Sequence, residues 1–240
     1  MKKLIFISGL MLVFVCSSAK AITVNDTFSP PSPLWSNSSG NWTANGGTYF
    51  AQTPSNSPET YSGLPFDFTN SNFALTVTIN NLRDEGIWLN TDGSRNNGVL
   101  FVGGGNAQHG DWAYWAVFQN GSFSNCCLSL NPNAFTPDLT YTITILINGN
   151  TYQAYMDPDG VYNANSVPLT TLVDNTFSHG MVGLYQFSGG ATSFSNLSIT
   201  GEISTVPGPV VGAGIPGLLL ALGGLIALRR RNFALRQWRV

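Results

Sequence analysis

The chain has 240 residues, 43% of them hydrophobic and only 9% charged, which excludes a disordered, solvating polymer and leaves ample apolar material for a core. Eight of its ten Lys and Arg lie at the two ends, whereas all twelve Asp and Glu fall between Asp26 and Glu202, opposed only by Arg83 and Arg95. A body this acidic repels phosphate backbones, so nucleic acid is excluded as a partner.

Lys2 and Lys3 precede an apolar run over 4–15, and Ser17, Ser18 and the triplet Ala19-Lys20-Ala21 follow. A basic start, a twelve-residue apolar stretch and a small-x-small site form a secretory signal peptide over residues 1–21, cleaved after Ala21. Twelve residues are too few to cross a bilayer as a helix, which takes about 20. Cys16 follows Val15, where a lipoprotein signal would need a small residue. Loss of the signal leaves Cys126 and Cys127 as the remaining thiols. Export into an oxidising compartment favours their pairing. Adjacent Cα atoms stand about 3.8 Å apart, closer than the roughly 4.4–6.8 Å of a relaxed bridge. A vicinal disulfide is the expectation and a pair of free thiols the alternative.

Residues 22–202 read as a single all-β domain, with Thr, Asn, Ser and Gly between β-branched and aromatic clusters. Strands are predicted at 22–28, 48–52, 73–79, 85–89, 99–102, 114–119, 141–147, 151–156, 182–187 and 193–200. The clearest is 73–79, where Phe73, Leu75, Val77 and Ile79 alternate with Thr76 and Thr78, the period of a half-buried strand. Asn148-Gly149 lies between 141–147 and 151–156 and supplies the positive φ of a tight hairpin turn. About ten strands without helical crossovers make an antiparallel sandwich or jelly roll.

Catalytic patterns are sparse. The two histidines, His109 and His179, each stand beside a glycine, seventy residues apart, which leaves no zinc set. No Gly-x-Ser-x-Gly elbow occurs. Asp84 and Glu85 are adjacent in a strand and point to opposite faces, so they cannot flank one glycosidic bond. Asp157-Pro158-Asp159-Gly160 and the 92–98 segment each resemble part of a calcium loop, and turn chemistry accounts for both equally. Metal ligands stay unassigned, and the expectation is no cofactor, with calcium the alternative. Trp35, Trp42 and Phe50 are assigned to the core or its edge. Trp88 stands out by register. With Ile87 and Leu89 inward, Asp84, Trp88 and Asn90 share the outer face, an aromatic ring flanked by hydrogen-bonding groups as a sugar platform requires. Trp112 and Trp115, beside the 103–111 loop, complete the ligand-binding set.

Residues 203–209 form a linker, and 206–228 carry no charge before Arg229, Arg230 and Arg231. That length crosses a membrane, and the arginines keep its end in the cytoplasm. The assignment is a transmembrane helix over 210–228 and a basic cytoplasmic tail over 229–240. Pro207, Pro209 and Pro216 delay regular helix until near Gly217.

The order Val206-Pro207-Gly208-Pro209, apolar helix and arginine cluster resembles a PEP-CTERM protein-sorting signal, in the variant reading Pro-Gly-Pro-Val-Val-Gly-Ala-Gly. Gly208 stands where that family usually carries Glu, and nine residues trail the arginines. The resemblance implies an exosortase-type processing enzyme as partner, passage through the inner membrane, and release or transfer to the cell surface. The body is similar to a concanavalin A-like, or laminin G-like, sandwich near the keto-disaccharide hydrolase-like branch. The residues that carry this are Asp26-Thr27-Phe28, Trp42 with Gly46-Gly47-Thr48-Tyr49, Gly86-Ile87-Trp88-Leu89, and Phe177-Ser178-His179-Gly180 before Val182-Gly183-Leu184-Tyr185. The expectation is a non-catalytic domain that binds extracellular polysaccharide or builds matrix. A glycan-active hydrolase and a plain membrane-anchored structural protein are the alternatives.

Overall fold

A computed structural model describes residues 20–29, 34–55, 60–104, 111–158, 166–187 and 192–204, without the side chains of 123–125. These belong to one compact unit, Ala19–Ser204. The signal peptide, the transmembrane helix and the sorting signal with Pro207, Gly208, Pro209, Arg229, Arg230 and Arg231 lie outside the described residues, as does His109.

The described residues form strands and turns, with no helix among them. In chain order the strands are β1 (Lys20–Asp26), β2 (Trp42–Asn45), β3 (Thr48–Ala51), β4 (Ser62–Gly63), β5 (Phe68–Thr69), β6 (Phe73–Asn80), β7 (Asp84–Thr91) and β8 (Gly98–Gly104). Then come β9 (Ala113–Gln119), β10 (Ser122–Asn131), β11 (Tyr141–Asn148), β12 (Thr151–Asp157), β13 (Thr170–Val173), β14 (His179–Gln186) and β15 (Ser193–Ile203). The expected strands are present, and β2, β4, β5, β10 and β13 are additional. The β11–β12 hairpin forms as expected, but Asn148 pairs with Thr151, so the turn is Gly149-Asn150, one residue later than read. The positive φ of 61° falls on Gly149, the first-position glycine of a type II′ turn.

All pairings are antiparallel and make two sheets. The first runs β1-β15-β6-β11-β12-β13, with β3 and β5 also against β15. The second runs β10-β9-β8-β7-β14, with β4 beside β14. His179 and Gly180 of β14 also pair with β5, which ties the two sheets together at one corner. The inner faces meet in one core: Leu75, Val77, Ile143 and Ile145 from the first sheet, Ile87, Phe101, Trp115 and Leu184 from the second. Trp115 and Tyr152 approach edge-on across it at 6.0 Å. This is an antiparallel β-sandwich.

The outer faces differ. On the first sheet Thr76 faces Thr144 at 3.2 Å and Thr78 faces Thr142 at 3.3 Å, a row of hydroxyls. On the second, Trp88, Leu100, Val102, Ala116, Phe118 and Tyr185 form a separate buried apolar cluster with Tyr61. The Tyr61 ring lies over Gly63 and Gly183, where a Cβ on either glycine would collide with it.

Candidate functional site

Trp88 faces away from Ile87 and Leu89, but it is fully buried, at 0% exposure, with its ring 4.8 Å from Phe118. The expectation of a solvent-facing platform is therefore corrected. β7 is buried on both faces, so an outward register does not mean an exposed side chain. Asn90 is not on that face either. It has a φ of 51° and sits where β7 slips by one residue against β14, a β-bulge that re-aims its side chain. Its Nδ2 donates to the core Tyr152 hydroxyl at 2.6 Å. Gly180 lies against this bulge, and a Cβ there would strike the Asn90 backbone. Trp115 is likewise in the core at 0% exposure, while Trp112 is half-buried just before β9.

Asp84 is half-buried at the head of β7. Burial, with a smaller push from Glu85, raises its carboxyl to about 7. Glu85 is fully buried and accepts the backbone N–H groups of Arg83 at 2.7 Å and Asp84 at 2.8 Å. The five residues thus divide: Trp88 lies in the outer cluster, and Asn90 and Trp115 face the core. Cys126 and Cys127 are exposed on the edge strand β10 and joined by a disulfide.

What the fold does bring together is a cleft of about 480 Å³ where β14 begins and β7 ends. Half-buried Phe177 and Met181 line it, edged by Asp67, Asn90, Asp92 and Asn97, with Thr176, Ser178 and His179 on the same wall. Three segments fix its shape. The β7–β8 turn is held by Asp92, which accepts from the Ser94 backbone N–H at 2.9 Å and from Asn97 Nδ2 at 2.9 Å. Partial burial pushes Asp92 upward, but hydrogen bonds from Asn97 and Ser94 outweigh it and hold the carboxyl below its ordinary value. His179 Nδ1 lies 2.9 Å from Asp67 Oδ1. A carboxylate only accepts, so Nδ1 is the donor in this pair.

A second cleft of about 410 Å³, lined by Trp35, Pro65 and Tyr61 among others, adjoins the first and shares Asp92 and Met181 with it. The sequence reading had taken His179 as a lone histidine beside a glycine, and 92–98 as either part of a calcium loop or a turn. Phe177 had been read only as part of the fold resemblance, Met181 was missed, and so was Asp67, which 112 residues of chain separate from His179. No group of three or more metal-ligating His, Cys, Asp or Glu side chains occurs among the described residues. Of the two partial calcium segments, Asp159 and Gly160 lie outside the described residues.

No family model matches the chain, and comparison with characterised proteins by sequence finds no match. Solved structures do match its fold. A galectin-like-fold protein of unknown function from Bacillus subtilis superposes with a TM-score of 0.55 and 9% identity, covering 78% of this chain and 98% of its own. The VIP36 exoplasmic/lumenal domain in its Ca2+/Man3GlcNAc-bound form gives a TM-score of 0.53 and 10% identity, covering 78% of this chain and 90% of its own. The chain therefore shares a galectin-like sandwich fold with both.

Proposed function

We propose that the chain is an exported cell-surface or extracellular-matrix protein whose concanavalin A-like sandwich binds carbohydrate without catalysis, and that the cleft between the β7–β8 turn and the start of β14 is the binding site. The observation that carries this reading is the lining of the cleft, where half-buried Phe177 and Met181 sit among Asn90, Asp92, Asn97 and His179. A sugar ring offers a C–H face to apolar side chains and hydroxyls that donate and accept at its edge. A few convergent polar groups around an apolar floor is the general form of a small-ligand site. The VIP36 domain is named as holding calcium and a mannose-containing glycan, which makes extracellular polysaccharide the ligand class to test first, with and without calcium.

The address comes from the two ends. In this reading the signal peptide directs export, the apolar segment 210–228 holds the chain in the inner membrane, and an exosortase-type enzyme cuts near Pro207-Gly208-Pro209. The geometry of the body suits that processing. Lys20 pairs with Ile203, and Ser204 N donates to Asp67 O at 2.7 Å, so both ends leave from one corner. Cleavage after Ala21 would still leave 22–26 of β1 paired with β15.

The test is a glycan panel on the purified chain, scored for binding and for hydrolysis. Binding without turnover is expected, weakened by Phe177→Ala by about 1–3 kcal/mol, by analogy with base–aromatic stacking, or roughly 5- to 150-fold. Turnover abolished by changing a single carboxylate would assign the chain to the hydrolases instead. Silence across the whole panel would leave a structural role.

A further inference from the structure

The acidic side chains of the corner are open to a ligand. Asp92 is exposed, and the Asp67 side chain keeps 32% of its surface. Both edge the first cleft, and Asp92 edges the second as well. A third cleft, of about 380 Å³, shares Phe177 and Ser178 with the first and carries Asp174 on its wall. Among the described residues no Lys or Arg lines any of the three. The sequence itself sets that lack: between Asp26 and Glu202 it holds two arginines and no lysine.

Neither arginine supplies the cation. Arg83 precedes β7 and gives Nε and Nη2 to Asp138. The cleft is at the other end of that eight-residue strand, about 25 Å of extended chain away. Arg95 belongs to the β7–β8 turn, as Asp92 does, but lines none of the clefts. His179 turns Nδ1 to both Asp67 oxygens, at 2.9 and 3.1 Å. Asp92 is held by Ser94 and Asn97, uncharged donors that fix its carboxylate without cancelling its charge. Sites that hold a carboxylate, sulfate or phosphate do so with Arg or Lys, and Arg does it with two parallel bonds. This cleft has the opposite equipment.

We infer that the cleft selects uncharged glycans and turns away those that carry uronate, sulfate or phosphate groups. The inference rests on the carbohydrate reading above and narrows its ligand class. Phe177 and Met181 form the apolar part of the wall, and Asp67 and Asp92 offer acceptors at its edge. A sugar hydroxyl can donate to them, whereas a ligand carboxylate brings only further acceptors. Its charge would also meet charge of the same sign, a juxtaposition that suppresses wrong partners.

The experiment is calorimetric titration of the full chain, in chelator and again in calcium. The probes are tetramers of glucose, mannose and galactose, and the linkage-matched tetramers oxidised at C6 to uronates. For the sugar that binds, the uronate form should bind about tenfold more weakly in about 50 mM salt, and the gap should shrink at about 500 mM as the charges are screened. Asp92→Asn and Asp67→Asn should each bring the two affinities closer together, whatever either does to the neutral sugar alone. A merely structural role would weaken both forms alike and leave their ratio unmoved. Should one variant fail to fold, the other and the salt series decide. Uronate binding as tight as that of the neutral form, with or without calcium, overturns the charge selection while leaving the cleft as the binding site. So does a ratio that neither salt nor either variant moves. Failure of every tetramer to bind overturns the carbohydrate reading and this inference with it.

Discussion

The outer faces of the two sheets are built from the same strand geometry and opposite chemistry. On the first sheet, β6 alternates strictly, with Phe73, Leu75, Val77 and Ile79 buried and Ala74, Thr76, Thr78 and Asn80 half-buried. On the second, β8 is buried at every residue and β7 at all but Asp84. Thr–Thr pairs cover the first outer face, whereas Trp88, Phe118 and Tyr185 make a second apolar cluster on the other. A sheet with one buried face writes period-two alternation into its strands, and a sheet buried on both faces writes continuous apolar runs. The second sheet is therefore a middle layer in chemical terms, and its aromatic rings serve packing before recognition.

That contrast can be broken most sharply at Trp88. If the ring is core, Trp88→Ala should cost about 3–5 kcal/mol, the range for a truncated buried aromatic, measured by denaturant unfolding. Trp88→Phe should cost far less, because the indole N–H has no partner to lose among the described residues. An unchanged midpoint in Trp88→Ala would return the ring to the surface. The next largest effect is expected at Gly183, which lies under Tyr61. Gly183→Ala should lose about 1–3 kcal/mol through overpacking, visible as a lower melting temperature.

Asp84 sharpens the comparison through pH. Burial first, and Glu85 second, raise its carboxyl from 3.8 to about 7. The folded chain then holds a proton that the unfolded chain releases near pH 4. This contribution is fully present below about pH 4, is lost as the pH rises toward 7, and changes no further above it. Asp84→Asn should flatten that slope and stabilise the fold at pH 8 by about 1–2 kcal/mol once solvent screening is allowed for. A parent protein whose stability rises from pH 4 to 7 in step with Asp84 would contradict the burial argument. The smallest effect belongs to the hydroxyl face: Thr76→Ala should cost about 0.2–1 kcal/mol, the worth of one cross-strand pair, read from the same unfolding curves.

The same two faces explain what could be read in the sequence. β6 and β11 were legible because one face is Thr-rich and the other aliphatic, and the hairpin turn that leads into β12 was marked by glycine. β10 escaped notice although Asn120-Gly121 announces its hairpin, with φ of 55° and 77°. Its register shifts three times, and Cys127 and Ser129 take positive φ, so no alternation survives. Trp88 was assigned to the right side of β7 and the wrong environment. Gly-Ile-Trp-Leu and Val-Leu-Phe-Val already read as continuous runs, the signature of a strand covered on both faces. Asn90 was misplaced for a separate reason: a single bulge reverses a period-two argument, and no local pattern marks it. The cleft itself was out of reach, because Asp67, Asp92 and Phe177 meet only when β5, β7 and β14 converge at one corner.

The central claim is that the ligand enters this corner cleft and not the aromatic face of the second sheet. Amide chemical-shift mapping during titration with the tightest-binding glycan tests it most directly. Shifts concentrated at 90–97 and 176–181 are the predicted result. Shifts centred on Trp88, Leu100 and Phe118, with the cleft residues unmoved, would show that the sugar lies on the sheet and would contradict the account.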